Sequence, residues 1–292
     1  MNGDLGDDPS IEPSGDLSDD AGIPAEPGPS PRPTEVAPAA LRVGDLVQFV
    51  DVKGRRYQAT LRPGGQFHSH AGFVEHDDVV GLPDASTVLT TKGQRLVVVR
   101  PTLSDFVFKM PRGAQVIYPK DLGPILMLAD IAPGVRVLES GVGSGALSMA
   151  MLRAGAEVVG YEIREDFAER AQANVDRFAG ELAADRYRIE LRDCYEGIDE
   201  RSVDRVVLDL PEPWRVVPHA VEALRPGGIL LAYTPSTVQV SQVRDAIAEA
   251  PFFDASTLEV MQRGWYVEGA AVRPDHRMVG HTGFLTVARR LA

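Results

Sequence analysis

Between residues 135 and 148 an apolar run, Val135-Arg136-Val137-Leu138-Glu139-Ser140, breaks into Gly141-Val142-Gly143-Ser144-Gly145 and resumes as Ala146-Leu147-Ser148. No other stretch constrains the fold as strongly. A buried-type strand, three alternating glycines and a helix start describe a βα turn whose backbone bends sharply and lets a ligand lie against it. The N–H groups at the helix start favour a polar or anionic ligand group. The same alternation continues to the end of the chain. Further strands are expected at Glu157 to Ile163, Arg188 to Asp193, Val203 to Leu210, Gly228 to Thr234, Thr257 to Gln262 and Phe284 to Arg289. Helices are expected at Ala146 to Arg153, Glu165 to Phe178, Val217 to Leu224 and Thr237 to Glu249. Seven strands with crossover helices imply an α/β fold, its mostly parallel sheet covered on both faces.

The chain before this region has a different texture. From Leu41 to Arg100 short alternating runs such as Leu46 to Val50, Arg56 to Leu61, Phe73-Val74 and Leu96 to Val99 are separated by Gly and Pro turns, and Pro101 closes the series. That spacing predicts a small antiparallel β domain. Residues 1–40 hold nine acids against one base, eight of the 22 prolines and no aromatic residue. Such a segment cannot bury enough apolar surface to offset its ordering entropy, so a disordered acidic tail is expected. The expected division is therefore 1–40, 41–103 and 104–292. The tail accounts for eight of the twelve net negative charges, leaving a mildly acidic body compatible with a local RNA-binding face. One cysteine, Cys194, permits no intrachain disulfide. No apolar run suits a membrane helix and no secretory signal opens the chain, so a cytoplasmic location is expected.

Four acids fall at expected strand ends. Glu139 would repel a pyrophosphate and suits a cationic group, such as a methionine-type ammonium. Glu162 follows Val158-Val159-Gly160-Tyr161, where a carboxylate can accept from both ribose hydroxyls. Asp193, followed by Cys194, can accept from an adenine amino group. The glycine spacing differs from the dinucleotide G-x-G-x-x-G, so the set fits S-adenosylmethionine (AdoMet) better than NAD. Asp209 ends Val206-Val207-Leu208 and opens Leu210-Pro211-Glu212-Pro213-Trp214. A carboxylate there can orient a base and stabilise a cation forming on it, or it can simply cap a turn. Tyr118, in Val116-Ile117-Tyr118-Pro119-Lys120-Asp121, can pack on a sulfonium or on a target base, or join two domains.

Other clusters carry less. His68, His70 and His76 lack a completing carboxylate or cysteine at a recognisable metal spacing, so no metal is expected. Basic residues group as Lys53, Arg55, Arg56 and Arg62; as Lys109 and Arg112; and as Arg263, Arg273, His276 and Arg277. Tyr57, Phe108, Trp265 and Tyr266 lie among them, a mixture that suits phosphates and stacked bases.

From about Leu41 onward the chain resembles the bacterial and archaeal tRNA (adenine-N1)-methyltransferases that act at adenine 58 of the T-loop. The resemblance rests on Gln115 to Asp121, Leu138 to Gly145, Asp209 to Trp214, and Arg273-Pro274 with Met278-Val279-Gly280-His281-Thr282-Gly283-Phe284-Leu285. It implies a Rossmann-like, seven-stranded class I methyltransferase domain behind a small N-terminal antiparallel β domain, assembled as a homotetramer acting on tRNA. It also implies that AdoMet is held by Gln115, by the loop Ser140, Gly141, Gly143, Ser144, Gly145, Ala146 and Leu147, and by Glu162 and Asp193 with the adjoining Cys194. Asp209 and Tyr118 would stand at the target base. The competing expectations are a methyltransferase for another acceptor, such as protein isoaspartyl groups, and an inactive RNA-binding subunit.

Overall fold

Alternating burial builds the first strands. In β1 (Leu46–Asp51), Val47 and Phe49 are fully buried. This strand pairs antiparallel with β2 (Arg56–Thr60) on one side and β6 (Arg95–Val99) on the other. A hairpin of β3 (Gln66–Ser69) and β4 (Gly72–Glu75) packs on it through Phe67, whose ring stacks 4.2 Å from Phe49. β5 (Ser86–Leu89) completes a four-stranded sheet of order β2-β1-β6-β5. The computed structural model describes residues 40–113, 115–180 and 183–292. The expected acidic tail lies outside the described residues up to residue 39.

Two helices that the sequence reading did not anticipate follow. α1 (Leu103–Lys109) opens with a capping box, Thr102 and Asp105 bonding each other's backbone N–H. Asp105 also pairs with Arg56, which ties β2 to this helix. α2 (Pro119–Leu128) starts at Tyr118, with Pro119 in the first helical position, where its missing N–H costs nothing. Pro124 inside α2 hides the helix from a pattern reading, because proline in mid-helix normally signals a break.

The remaining elements are β7 (Arg136–Ser140), α3 (Ala146–Arg153), β8 (Glu157–Glu162), α4 (Glu165–Ala179), β9 (Tyr187–Leu191), β10 (Val203–Leu208), α5 (Val217–Ala223), β11 (Leu224–Thr234), α6 (Thr237–Glu249), β12 (Phe252–Glu259), β13 (Trp265–Glu268), β14 (Ala271–Pro274) and β15 (Phe284–Arg290). Seven of them form one sheet of order β12-β15-β11-β10-β7-β8-β9. β15 runs antiparallel between β11 and β12; the pairs from β11 across to β9 are parallel. Because β8 and β10 lie on opposite sides of β7, the chain reverses direction at the β7–β10 boundary, where open α/β sheets place ligands. Leu138, Val206, Leu208 and Leu230 are completely buried in the central strands, each worth about 1.5–3 kcal/mol of burial. This is the class I methyltransferase fold, with an antiparallel sheet before it.

Several boundaries differ from expectation by one to five residues; β11 begins at Leu224, four residues before Gly228. β12 begins at Phe252, five residues before Thr257, and ends at Glu259 instead of Gln262. Phe252 is buried, and an irregular register between Phe253 and Ser256 breaks the alternation that would have revealed the strand's start. β13 and β14 form a hairpin whose residues are nearly all exposed, so no period of two marked it.

Candidate active site

Gly141 is where the strand can turn. Its φ is +87°, and a Cβ would collide with the backbone carbonyl of Asp209. The close approach is sealed by a hydrogen bond from Asp209 N–H to Ser140 O at 2.9 Å. Gly145, at φ +81°, caps α3, where a Cβ would crowd Ala171 and Val175 of α4 at 3.3 Å. The glycines thus bring two strand ends and two helices around one narrow crevice. Gln115, Val116, Ile117, Glu139, Gly141, Val142, Gly143, Ser144, Ala146, Leu147 and Asp209 line it.

The structure brings together most of the sequence-predicted residues. Gln115 is exposed at the rim, while Ser140 and Ser144 are buried in the loop. Glu162 is buried at the end of β8. It accepts from Gly143 N–H at 3.0 Å through one oxygen, and from Ile163 and Arg164 N–H at 3.0 and 3.1 Å through the other. These bonds clamp the glycine loop to the next turn and leave carboxylate lone pairs for a ligand hydroxyl. Asp193 lies two residues beyond β9. Its Oδ1 accepts from Tyr195 N–H at 2.9 Å. Neither Asp193 nor Cys194 lines the crevice. The Cys194 thiol is buried against Ser140, and burial raises its pKa.

Two carboxyls have strongly shifted acidities. Glu139 is 1 % exposed, and burial pushes it up to about 8 against an opposing Ser148 Oγ hydrogen bond at 2.5 Å. The nearby charges of Asp209 and Glu162 add to the rise. Asp209 is pushed up to about 7 by burial, and its carboxyl accepts no hydrogen bond from any described residue. A carboxyl of that kind is a strong acceptor held ready for an outside donor.

Tyr118 is not among the residues lining the crevice that Val116 and Ile117 line. With Ser104, Phe108, Pro119, Lys120, Gln262, Gly264, Arg277, Met278 and Val279 it borders a neighbouring cavity of about 590 Å³. Its ring lies 6.3 Å from that of Phe108. Sequence reasoning missed Tyr233, at the carboxyl end of β11. Burial, the charges of Asp121 and Asp209, and Tyr118 hold its hydroxyl up at about 12. Its position at a parallel-strand end was the available signal.

The histidine trio does not converge. His68 packs on Phe73, His70 meets Arg55, and His76 Nδ1 accepts from Arg62 N–H at 3.1 Å. The first basic group is partly spent, since Arg55 pairs with Asp51 at 2.6 Å and Arg56 with Asp105. Arg273 lies 4.5 Å over the Tyr266 ring.

Comparison with known proteins follows the same outline. Residues 95–272 match the family model described as tRNA methyltransferase complex GCD14 subunit, and residues 40–88 match the TrmI-like N-terminal model. A tRNA (adenine58-N1)-methyltransferase TrmI of Thermus thermophilus is 39% identical over 82% of this chain and 94% of its own. A relative in Methanocaldococcus jannaschii, named for both adenine 57 and adenine 58, is 34% identical over 82% of this chain and 93% of its own. Among solved structures, a SAM-dependent O-methyltransferase of Thermotoga maritima superposes with a TM-score of 0.81 at 31% identity, covering 87% of this chain and 95% of that one. The TrmI tRNA methyltransferase of Aquifex aeolicus gives 0.75 at 25% identity, over 87% and 100%.

Proposed function

The chain belongs to the tRNA (adenine58-N1)-methyltransferase family, and from that premise we propose that it transfers the methyl group of AdoMet to N1 of adenine 58 in the T-loop of tRNA, giving 1-methyladenosine. The likeness to an O-methyltransferase shares the donor and not the acceptor atom; the adenine-N1 relatives, at higher identity, decide between them.

The crevice suits the donor. Gly141 lets the Asp209 backbone close against the glycine loop and form the crevice wall, Glu162 keeps lone pairs for ribose hydroxyls, and Asp193 keeps one oxygen for an adenine amine. Glu139 faces the same space and would ionise beside an ammonium group, which lowers a raised carboxyl. Gln115 and the loop Ser140 to Leu147 complete the cradle. When bound, AdoMet supplies an electrophilic methyl group on a sulfonium.

One observation carries the chemistry: the Asp209 carboxyl stands at the strand-order reversal with no hydrogen-bond donor among the described residues. Adenine N1 has a free lone pair, so no proton need leave before it attacks. The bond from N1 to the methyl carbon forms as the carbon–sulfur bond breaks, and the base gains one positive charge. Ionised Asp209 accepts from the exocyclic amine and stabilises that charge as it develops. Tyr118 and the cavity beside it offer aromatic surface for an unstacked nucleotide, the usual mode for single-stranded loops. Residues 41–103 serve as a flanking β domain and 104–292 carry the reaction. The enzyme works in the cytoplasm and assembles as a homotetramer; the exposed apolar hairpin of β13 and β14 supports the assembly. Incubation with methyl-labelled AdoMet and either unmodified tRNA or an isoaspartyl peptide tests the acceptor. Label is expected in the tRNA alone, and label in the peptide would favour the competing reading.

A further inference from the structure

Two motifs have no part in that account: Lys120-Asp121, which follows Tyr118-Pro119, and His281-Thr282, just before β15. The fold joins them. Asp121 is completely buried, and Lys120 Nζ lies 2.7 Å from its Oδ1 with only 7% of the lysine side chain exposed. Lys120 Nζ also donates to Val260 O at 2.6 Å, 140 residues away. Thr282 Oγ1 donates to the other Asp121 oxygen at 2.7 Å, across 161 residues. Both flanks of Thr282 are fixed. His281 bridges Glu259 Oε1 at 2.6 Å and Pro235 O at 2.7 Å. Gly283 lies so close to Tyr233 that a Cβ would enter its ring.

Burying an ion pair rarely stabilises a fold more than apolar residues of the same shape would, because desolvation offsets the attraction. This pair sits in the first turn of α2, next to the residue that begins the helix, and its bonds reach two remote segments. Tyr233 packs against the same segment at Gly283 with its hydroxyl near Thr282, and the charges of Asp121 and Asp209 and the Tyr118 hydroxyl reach it. The cluster therefore connects Tyr118, which caps the start of α2, with Tyr233 on β11, which feels both Tyr118 and the carboxyl assigned to the target base.

We propose that Lys120, Asp121 and Thr282 are positioning residues for methyl transfer, holding Tyr118 and Tyr233 as two walls that seat the target adenine beside Asp209. The proposal rests on the methyl-transfer reading above. Its effect is geometric, and a misplacement near 1 Å can cost about 100-fold in rate.

Thr282→Val keeps the shape and removes the hydroxyl. It is expected to lower kcat about 10- to 100-fold, with the AdoMet Kd unchanged within about 2-fold. Thr282→Ser is expected to restore kcat to within about 3-fold of wild type, since it returns the hydroxyl alone. In a Tyr118→Ala background, Thr282→Val should cost clearly less than in wild type, because one of the two walls it positions is gone. Circular dichroism at the assay temperature checks folding. Should Thr282→Val be unfolded there, Lys120→Arg, which keeps the charge but changes the reach, is read by the same split between kcat and Kd. Full turnover by Thr282→Val, an equal loss in Thr282→Ser, or a fully multiplied loss in the Tyr118→Ala background would overturn the proposal. Wild-type enzyme in the same assay separates the two claims: no 1-methyladenosine from wild type refutes the methyl-transfer reading itself.

Discussion

Asp209 and Glu139 are carboxyls at the ends of adjacent strands, both raised by burial, and they differ in what they meet. Glu139 has Ser148 as a partner, while Asp209 has none among the described residues. With a carboxyl near 7, Asp209 is largely neutral below that pH and ionised above it. If the anion is the working form, kcat/KM should rise as pH passes from about 6 to about 8 and then level off. Asp209→Asn should remove this limb and lower kcat by about 100- to 1000-fold, with the AdoMet Kd within about 3-fold of wild type. Isothermal calorimetry beside a pH–rate profile checks both parts. Glu139 predicts a stability effect of opposite use. Its folded carboxyl, at about 8, lies above its ordinary 4.5, so the folded form holds the proton more tightly. Wild type and Glu139→Gln should match in stability below the ordinary value. As pH rises towards 8 the wild type should lose ground, which melting curves at pH 5 and pH 8 would show. The four strand-end acids were legible in the sequence because parallel sheets concentrate ligand contacts at carboxyl ends. Ser148, Tyr233 and Thr282 were not, because their roles depend on partners brought by the fold from distant parts of the chain.

Elements differ in how openly the sequence declares them. α3 and α6 match expectation at both ends, since a glycine turn opens one and a Ser236–Gln239 capping box the other. The first half of β12 and the hairpin of β13 and β14 escaped for different reasons, an irregular register in one and exposure on both faces in the other. α2 was hidden by Pro124, although Pro119 at its first position favours the helix. The turn between β7 and α3 tolerates least. Gly141→Ala would place a methyl group against the Asp209 carbonyl in a left-handed backbone. It should cost more than about 1 kcal/mol of stability. It should also weaken AdoMet binding at least tenfold, because the crevice wall moves; chemical denaturation and calorimetry give the two numbers.

At the scale of the molecule, charge position says more than net charge. Most of the −12 belongs to residues 1–40, while the four acids proposed to meet the donor and the target base stand at the carboxyl ends of four neighbouring strands. The apolar surface is also uneven. Val267 and Val272 face each other across the β13–β14 hairpin, 67% and 61% exposed, with Trp265 at 58% nearby. Contiguous apolar surface of this kind normally has a partner. If the hairpin joins subunits, Val267→Glu with Val272→Glu should shift the light-scattering mass from tetramer to smaller species while leaving AdoMet binding intact; an unchanged mass would remove the hairpin from the assembly. The central claim is chemical and positional, that this crevice delivers a methyl group to N1 of one adenine. Unmodified tRNA incubated with enzyme and AdoMet, cut into defined fragments and analysed by mass spectrometry, tests it most directly. 1-Methyladenosine is expected in the T-loop fragment at position 58, formed by wild type and nearly absent with Asp209→Asn. A methyl group on another atom or outside the T-loop, or equal yield from the variant, would contradict it.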